Sequence, residues 1–462
     1  MGASGASGTT PARRGYGVQA LWLVLLAVLC LVVDSRTAQA QAIHQGVASC
    51  AGSTCHGRQA PDGAVVRQNE LVVWQDGSSA AGSHSRAWRT LQGPWARRIA
   101  TRLGLGDPTS APSCLGCHAD PAPVALRGAR FQISDGVGCE SCHGASGGWL
   151  ASHYTAGATH ADNVARGMTA LDDPRVLAST CLDCHFGSDK PNQFVTHRMM
   201  SAGHPRLSFE LDLFNAFQQH HDIDADYAAR KGVTGGTRLW ALGQAVALER
   251  SLALFAEPRL GQDGIFPEFY FFDCHSCHRA ITDDRNPVVR TEGNPGRTIP
   301  WGMPPYNDEN MILLTAAARA MDPRAADRFV EDSRAFHLAM TRDRASAQQA
   351  ARTLGASART VSGLLGARMF GRSETLSILR SVLSDATTTR YTDYSGGVQA
   401  VMAVDTLLSA LVADGGVSAS AVAAMRPDIE AAYGAVRDPN AYRPQVFRDA
   451  MRRIDASLDR LT

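Results

Sequence analysis

Apolar and polar positions alternate differently in the two halves of this 462-residue chain. After an apolar run at Ala20–Val33, residues 41–235 are rich in Gly, Pro and Ser and show little period-2 alternation, so few strands are expected there. Short helices are expected just before several of the cysteine motifs described below, and across Phe209–Gln219, where Leu211, Phe214 and Phe217 recur at helical spacing. From about residue 237 the pattern strengthens: Leu239–Phe255 reads as one long helix and Asp308–Met321 as another, with the Pro-rich loop Asn286–Tyr306 between them. In residues 325–462 apolar side chains return every three or four positions, as in Val361–Leu365, Leu376–Leu383 and Val398–Leu411. That spacing predicts three to five amphipathic helices in a bundle, with turns at Gly415 and Pro427.

The N-terminus reads as an export signal. Arg13 and Arg14 precede the apolar run, which is shorter than the roughly 20 residues of a membrane span, and Ala38-Gln39-Ala40 gives a small-x-small cleavage pattern. The expected organisation is therefore a signal peptide at 1–40, a first domain at 41–306 and an α-helical domain at 307–462. The expected location is periplasmic, with cleavage near Ala40. The formal net charge of +1 gives no reason to expect nucleic acid or an acidic membrane surface as partner.

Cysteine placement supplies the chemistry. Four times the chain writes C-x-x-C-H: Cys114 to His118, Cys139 to His143, Cys181 to His185 and Cys274 to His278. With 11 Cys and 15 His, chance would produce on the order of 0.01 such motifs. The pattern is the attachment site of haem c: two thiols straddle one edge of the porphyrin for thioether bonds, and the adjacent imidazole reaches the iron. A zinc site also uses paired cysteines but has no need of His directly after the second one each time. A fifth, irregular copy, Cys50-Ala-Gly-Ser-Thr-Cys55-His56, has a four-residue spacer that can bulge outward without displacing the thiols. Its alternative is a single thioether through Cys55. Five motifs use ten of the 11 cysteines and the last, Cys30, lies in the signal, so no structural disulfide is expected.

Five covalently attached haems c would be ligated on one face by His56, His118, His143, His185 and His278. The group filling each opposite face decides between carrier and catalyst. His84, His153, His197 and His204 are the first candidates, and His220 is the next, ahead of His221, His160 and His44. His275 lies inside a motif, and His337 is remote and reads as structural. Met199 and Met200 read as packing. Four strong candidates for five irons leave two possibilities: another histidine completes a bis-His set, or one haem is five-coordinate.

Ser49–Gly57, His84-Ser-Arg-Ala-Trp88, Gly136–Gly144 and Ala202-Gly-His-Pro-Arg206 together resemble the multihaem cytochromes of the cytochrome c554 and hydroxylamine oxidoreductase-like superfamily. The resemblance covers roughly residues 45–205 and extends more loosely to about 320. It implies closely stacked haem pairs, mostly bis-His ligation, and electron transfer in nitrogen-compound or related respiratory metabolism. The chain departs from the four-haem cytochrome c554 pattern in its first spacer, its motif at 274–278 and its long helical C-terminus. No tyrosine is placed as the cross-linked catalytic haem of hydroxylamine oxidoreductase would need.

The expected fold class is mainly α: a multihaem cytochrome c domain with a haem-built core and little regular sheet, followed by a C-terminal helical bundle. The leading functional expectation is a periplasmic pentahaem electron carrier without enzymatic activity. Its partners would be redox proteins or a membrane quinol-linked complex, and the haem maturation machinery during biogenesis. The alternative is a multihaem reductase or oxidase acting on a small nitrogen or sulfur compound at one five-coordinate haem.

Overall fold

The computed structural model describes residues 1, 2, 5, 42–59, 68–206, 208–260, 268–274, 277, 278, 304–388, 391, 394–439 and 441–461. Apart from residues 1, 2 and 5, the segment read as an export signal lies outside the described residues, as do Cys30, His275 and most of the Pro-rich loop.

The chain is mainly helical, as the hydrophobic pattern predicts, and among the described residues the pairing between extended segments is limited to isolated bridges, His44 with Arg127 and Phe272 with Tyr306. Its first part is a string of short helices joined by turns: α1 Glu70–Gln75, α2 Ala87–Thr90, α3 Pro94–Leu103, α4 Pro112–His118, α5 Cys139–His143, α6 His160–Ala165, α7 Pro174–His185, α8 His197–Ser201, α9 Leu211–Phe217 and α10 Ala225–Lys231. Local chemistry starts and stops them. Pro94, Pro112 and Pro174 sit in first turns, where a missing N–H costs nothing. Thr159, Asp173, Thr196 and Asp224 accept from backbone N–H groups as N-caps. Gly104 closes α3 in the left-handed region at φ 72°.

The second part is a bundle of long helices: α11 Gly236–Ala256, α12 Glu309–Met321, α13 Pro323–Met340, α14 Arg344–Gly366, α15 Arg372–Thr387, α16 Tyr394–Ala413, α17 Ala419–Ala423, α18 Arg426–Ala435 and α19 Pro444–Leu458. Beyond residue 322 these are seven helices among the described residues rather than three to five, because α17 and α18 are too short to show an apolar period of their own. Gly415 makes its turn at φ 68°, whereas Pro427 opens α18 instead of separating helices. The core draws on both sides of residue 307: Trp240 and Phe255 from α11 join Phe329, Phe336 and Phe447, all essentially inaccessible. Helix α11 is buried on nearly every side, packing on α14 and, across the junction between the two parts, on α7. Helix α16 is long and apolar enough to cross a membrane by length and composition, but Ala400, Val401, Ala403, Val404, Leu407 and Leu408 are all buried in the bundle core.

The two parts are joined by polar contacts. Arg175 on α7 pairs with Glu249 on α11 at 2.9 Å, and Arg250 pairs with Asp183 at 2.7 Å. Thr406 on α16 donates to the buried Glu210 carboxylate at 2.8 Å. These contacts seat the last turn of α7, with Cys181, Cys184 and His185, against the bundle.

Candidate haem centres

The regular motifs occupy helical turns. Cys139–His143 is the whole of α5, while Cys114–His118 and Cys181–His185 form the last turns of α4 and α7. Helical geometry puts the first Cys, the second Cys three residues on and the His four residues on along one face. The fourth motif turns in the same way, the His278 N–H donating to the Cys274 carbonyl at 2.7 Å. In the irregular motif the His56 N–H still donates to the carbonyl of the first cysteine, Cys50, at 3.1 Å, while Gly52 and Cys55 close their own turn at 2.8 Å. The longer spacer therefore loops out and the ends of the motif keep the same relation. Gly144 follows α5 at φ 81°, and a Cβ there would lie 2.6 Å from the Gly167 carbonyl oxygen, so this turn calls for glycine.

The motifs come together in pairs. Cys50 lies beside Cys139, and Cys117 beside Cys184, so the Cys50–His56 motif abuts Cys139–His143 and the Cys114–His118 motif abuts Cys181–His185. The described cysteines form no disulfide.

A histidine stands opposite each motif histidine. Ring centroids lie 6.2 Å apart for His56 and His153, 6.1 Å for His84 and His185, 6.3 Å for His118 and His204, and 6.0 Å for His197 and His278. Opposite His143 stand both His220 at 6.3 Å and His221 at 6.1 Å. Any one such separation is ordinary for an aromatic pair. Its recurrence at all five motif histidines matches the spacing that two imidazoles would keep if they shared one metal ion: two bonds of about 2 Å plus two ring radii of about 1.2 Å sum to about 6 Å. Four pairs line one cavity of about 2,100 Å³, well beyond the roughly 1,000 Å³ of a large small-molecule site. The pair His197–His278 lies outside it, beside Phe269.

Several rings are oriented by their second nitrogen. Nδ1 of His118 donates to the Ala87 carbonyl at 3.1 Å, that of His153 to Leu150 at 2.6 Å, that of His204 to Pro205 at 2.8 Å and that of His220 to Gln218 at 3.1 Å. Nδ1 of His56 donates to Glu70 at 3.0 Å. Holding the proton on Nδ1 leaves the Nε2 lone pair for a metal, the usual outer-shell arrangement of a ligating histidine. Burial favours the neutral form of three rings: it pushes His185 and His220 down to about 4 and His143 to about 3, with neighbouring imidazoles adding to each. His56 goes the other way, raised chiefly by its hydrogen bond to Glu70.

The remaining histidines are otherwise engaged. Nδ1 of His44 pairs with Asp120 at 2.8 Å, His160 pairs with Asp172 at 2.9 Å, and His337 is buried in the bundle with its Nδ1 donating to the Ser333 carbonyl at 2.7 Å. Sequence ranking undervalued His221, which the fold brings as near to His143 as His220. Adjacency in the dipeptide is the only signal it carried. Glu70 carried none, yet it reaches His56 and also lies 3.6 Å from His221.

Residues 49–144 match the family model for cytochrome c554 and c-prime. Over this stretch the chain is similar to cytochrome c554, which supports a multihaem c-type cytochrome. No match was found among curated proteins or among solved structures. As a multihaem c-type cytochrome it binds haem c, and the paired thiols, opposed imidazoles and large cavity suit that group.

Proposed function

We propose that the protein is a pentahaem electron carrier in which every iron has two histidine ligands. The observation that carries this reading is the set of five motif histidines, each facing a second imidazole at 6.0–6.3 Å. The attaching cysteines would be Cys50 with Cys55, Cys114 with Cys117, Cys139 with Cys142, Cys181 with Cys184 and Cys274 with Cys277. The ligand pairs would be His56 with His153, His118 with His204, His143 with His220, His185 with His84 and His278 with His197. When bound, haem supplies a one-electron ferric–ferrous couple. The chain's own part is to hold the rings, exclude water and set each couple through burial and hydrogen bonding.

Two abutting motif pairs and a shared cavity favour closely spaced haems for the first four, with the His278 site as an outlying terminal. Electrons would pass between redox protein partners, or from a membrane quinol-linked complex, in the periplasm after export. With a histidine facing each motif histidine, the carrier reading is favoured over catalysis at an open iron.

The test is low-temperature EPR of the purified, air-oxidised protein together with its haem-to-chain ratio. Five haems per chain and low-spin ferric signals alone are expected. A high-spin signal integrating to about one haem would replace the carrier reading with an open-site enzyme.

A further inference from the structure

One ring nitrogen of the site breaks the pattern of satisfied Nδ1 atoms. Nδ1 of His185 is buried and has no hydrogen-bond partner, the one such case among the described site histidines. Phe209 stacks on the ring at 4.9 Å and Phe214 meets it edge-on at 5.6 Å, so it cannot turn freely to find one.

Beside His185 lies a second cavity, of about 20 Å³. Glu309 of α12 and Gln399 of α16 line it and do not line the large cavity, so it sits on the bundle side of the histidine. Its other polar groups are committed. The Tyr270 hydroxyl donates to the Phe186 carbonyl at 3.1 Å, Asn310 Nδ2 to Gln244 Oε1 at 2.7 Å, and Arg206 Nη1 to the Tyr270 carbonyl at 3.3 Å. Gln399 spends its Nε2 on the Phe209 carbonyl at 2.9 Å. Three buried atoms remain without partners: His185 Nδ1, Glu309 Oε2 and Gln399 Oε1.

A donor and two acceptors on residues lining one small cavity match one molecule. A water needs roughly 10–15 Å³ and two to four polar partners. It can accept one N–H and donate two O–H bonds. We infer that this cavity is a site for one ordered water that accepts from His185 Nδ1 and donates to Glu309 Oε2 and Gln399 Oε1. Glu309 and Gln399 are then positioning residues for the haem held by Cys181 and Cys184, and the helical bundle acts on the redox chemistry through them. The inference rests on His185 being an iron ligand. An acceptor on Nδ1 makes an imidazole a stronger donor to iron, which favours the ferric state and lowers the potential.

The experiment is an optical redox titration of the intact, haem-loaded protein beside Ala247→Val and Gln399→Leu. Ala247 lines the small cavity, and valine would occupy it while leaving every polar side chain of the site in the sequence. In both variants one couple is expected to rise: at its wild-type midpoint the ferrous-to-ferric ratio increases about tenfold, or about 59 mV for one electron. The other four couples stay in place. Five unchanged couples in fully loaded variants would overturn the water site, as would a fall in unfolding midpoint unaccompanied by any redox shift. Peptide mass analysis of the wild type keeps the two readings separable: a Cys181–Cys184 peptide without haem would overturn the ligand assignment itself.

Discussion

Residues 42–231 and residues 236–461 solve the problem of a core in opposite ways. In the second region apolar side chains do it: one continuous cluster runs from Trp240 to Leu458, and none of its buried members precedes Trp240 among the described residues. Phe255, Tyr306 and Phe336 meet edge to face in its middle, at 5.0–5.7 Å. The first region has a cavity of about 2,100 Å³ where such a cluster would be, ringed by cysteines and opposed histidines. Its helices are short and rely on caps and proline starts, since no long apolar face awaits them. A chain can thus leave its interior to a cofactor, provided the side chains that hold the cofactor are placed precisely.

The sharpest way to break this contrast is to deny the first region its haem. In a chain produced without haem attachment, limited proteolysis should cut throughout 42–231 and around Cys274–His278, while the helices at 236–256 and 309–458 stay protected. Digestion of both at the same rate would mean that the bundle also depends on the cofactor. Next in size, Phe336→Ala should cost about 3–5 kcal/mol of bundle stability, because it opens a cavity in a close-packed core. The haem spectrum should stay unchanged. A parallel loss of low-spin haem would show that the two cores unfold as one.

A smaller effect sits at the junction. Glu210 is pushed up to about 7 by burial, and by the charge of Asp212, against the three donors it accepts from: the Asp212 and Leu213 N–H groups and Thr406. A carboxyl with a raised folded value favours folding most when protonated. That contribution is complete below the unfolded value near 4.5 and is lost as pH rises through about 7, a swing of about 3 kcal/mol. Wild type should therefore lose thermal stability between about pH 5 and pH 8 relative to Glu210→Gln. Parallel curves for the two proteins would remove Glu210 from the junction's energetics. The smallest effect is expected at the exposed pair Arg426–Asp405, 3.3 Å apart, where Arg426→Ala should change stability by about 1 kcal/mol or less in denaturant titration.

Much of this was legible in the residues. Covalent haem chemistry shows in C-x-x-C-H because the constraint is local: thiols and imidazole must share one turn, so their spacing is written in the chain. Long helices are legible for the same reason, as in α11, where Leu239–Phe255 was expected and Gly236–Ala256 is found. Short α17 and α18 were not, because helices of five and ten residues hold too few turns to show an apolar period. The partner of each motif histidine could not be read at all. His84 stands opposite His185 and His56 opposite His153, each pair bringing together distant parts of the chain. No spacing rule links such residues, since the intervening loops can close in many ways.

What the sequence by itself determined is therefore the local chemistry: the spacing of the cysteine–histidine motifs, a helical bundle and a set of candidate imidazoles. The tertiary structure alone decided which imidazoles face each other, that His221 stands beside His220, that Glu70 reaches His56, and that Glu309 and Gln399 flank His185. The physical reason is range. Covalent attachment and helix formation act over a turn, whereas opposition across a cavity depends on how the whole chain packs.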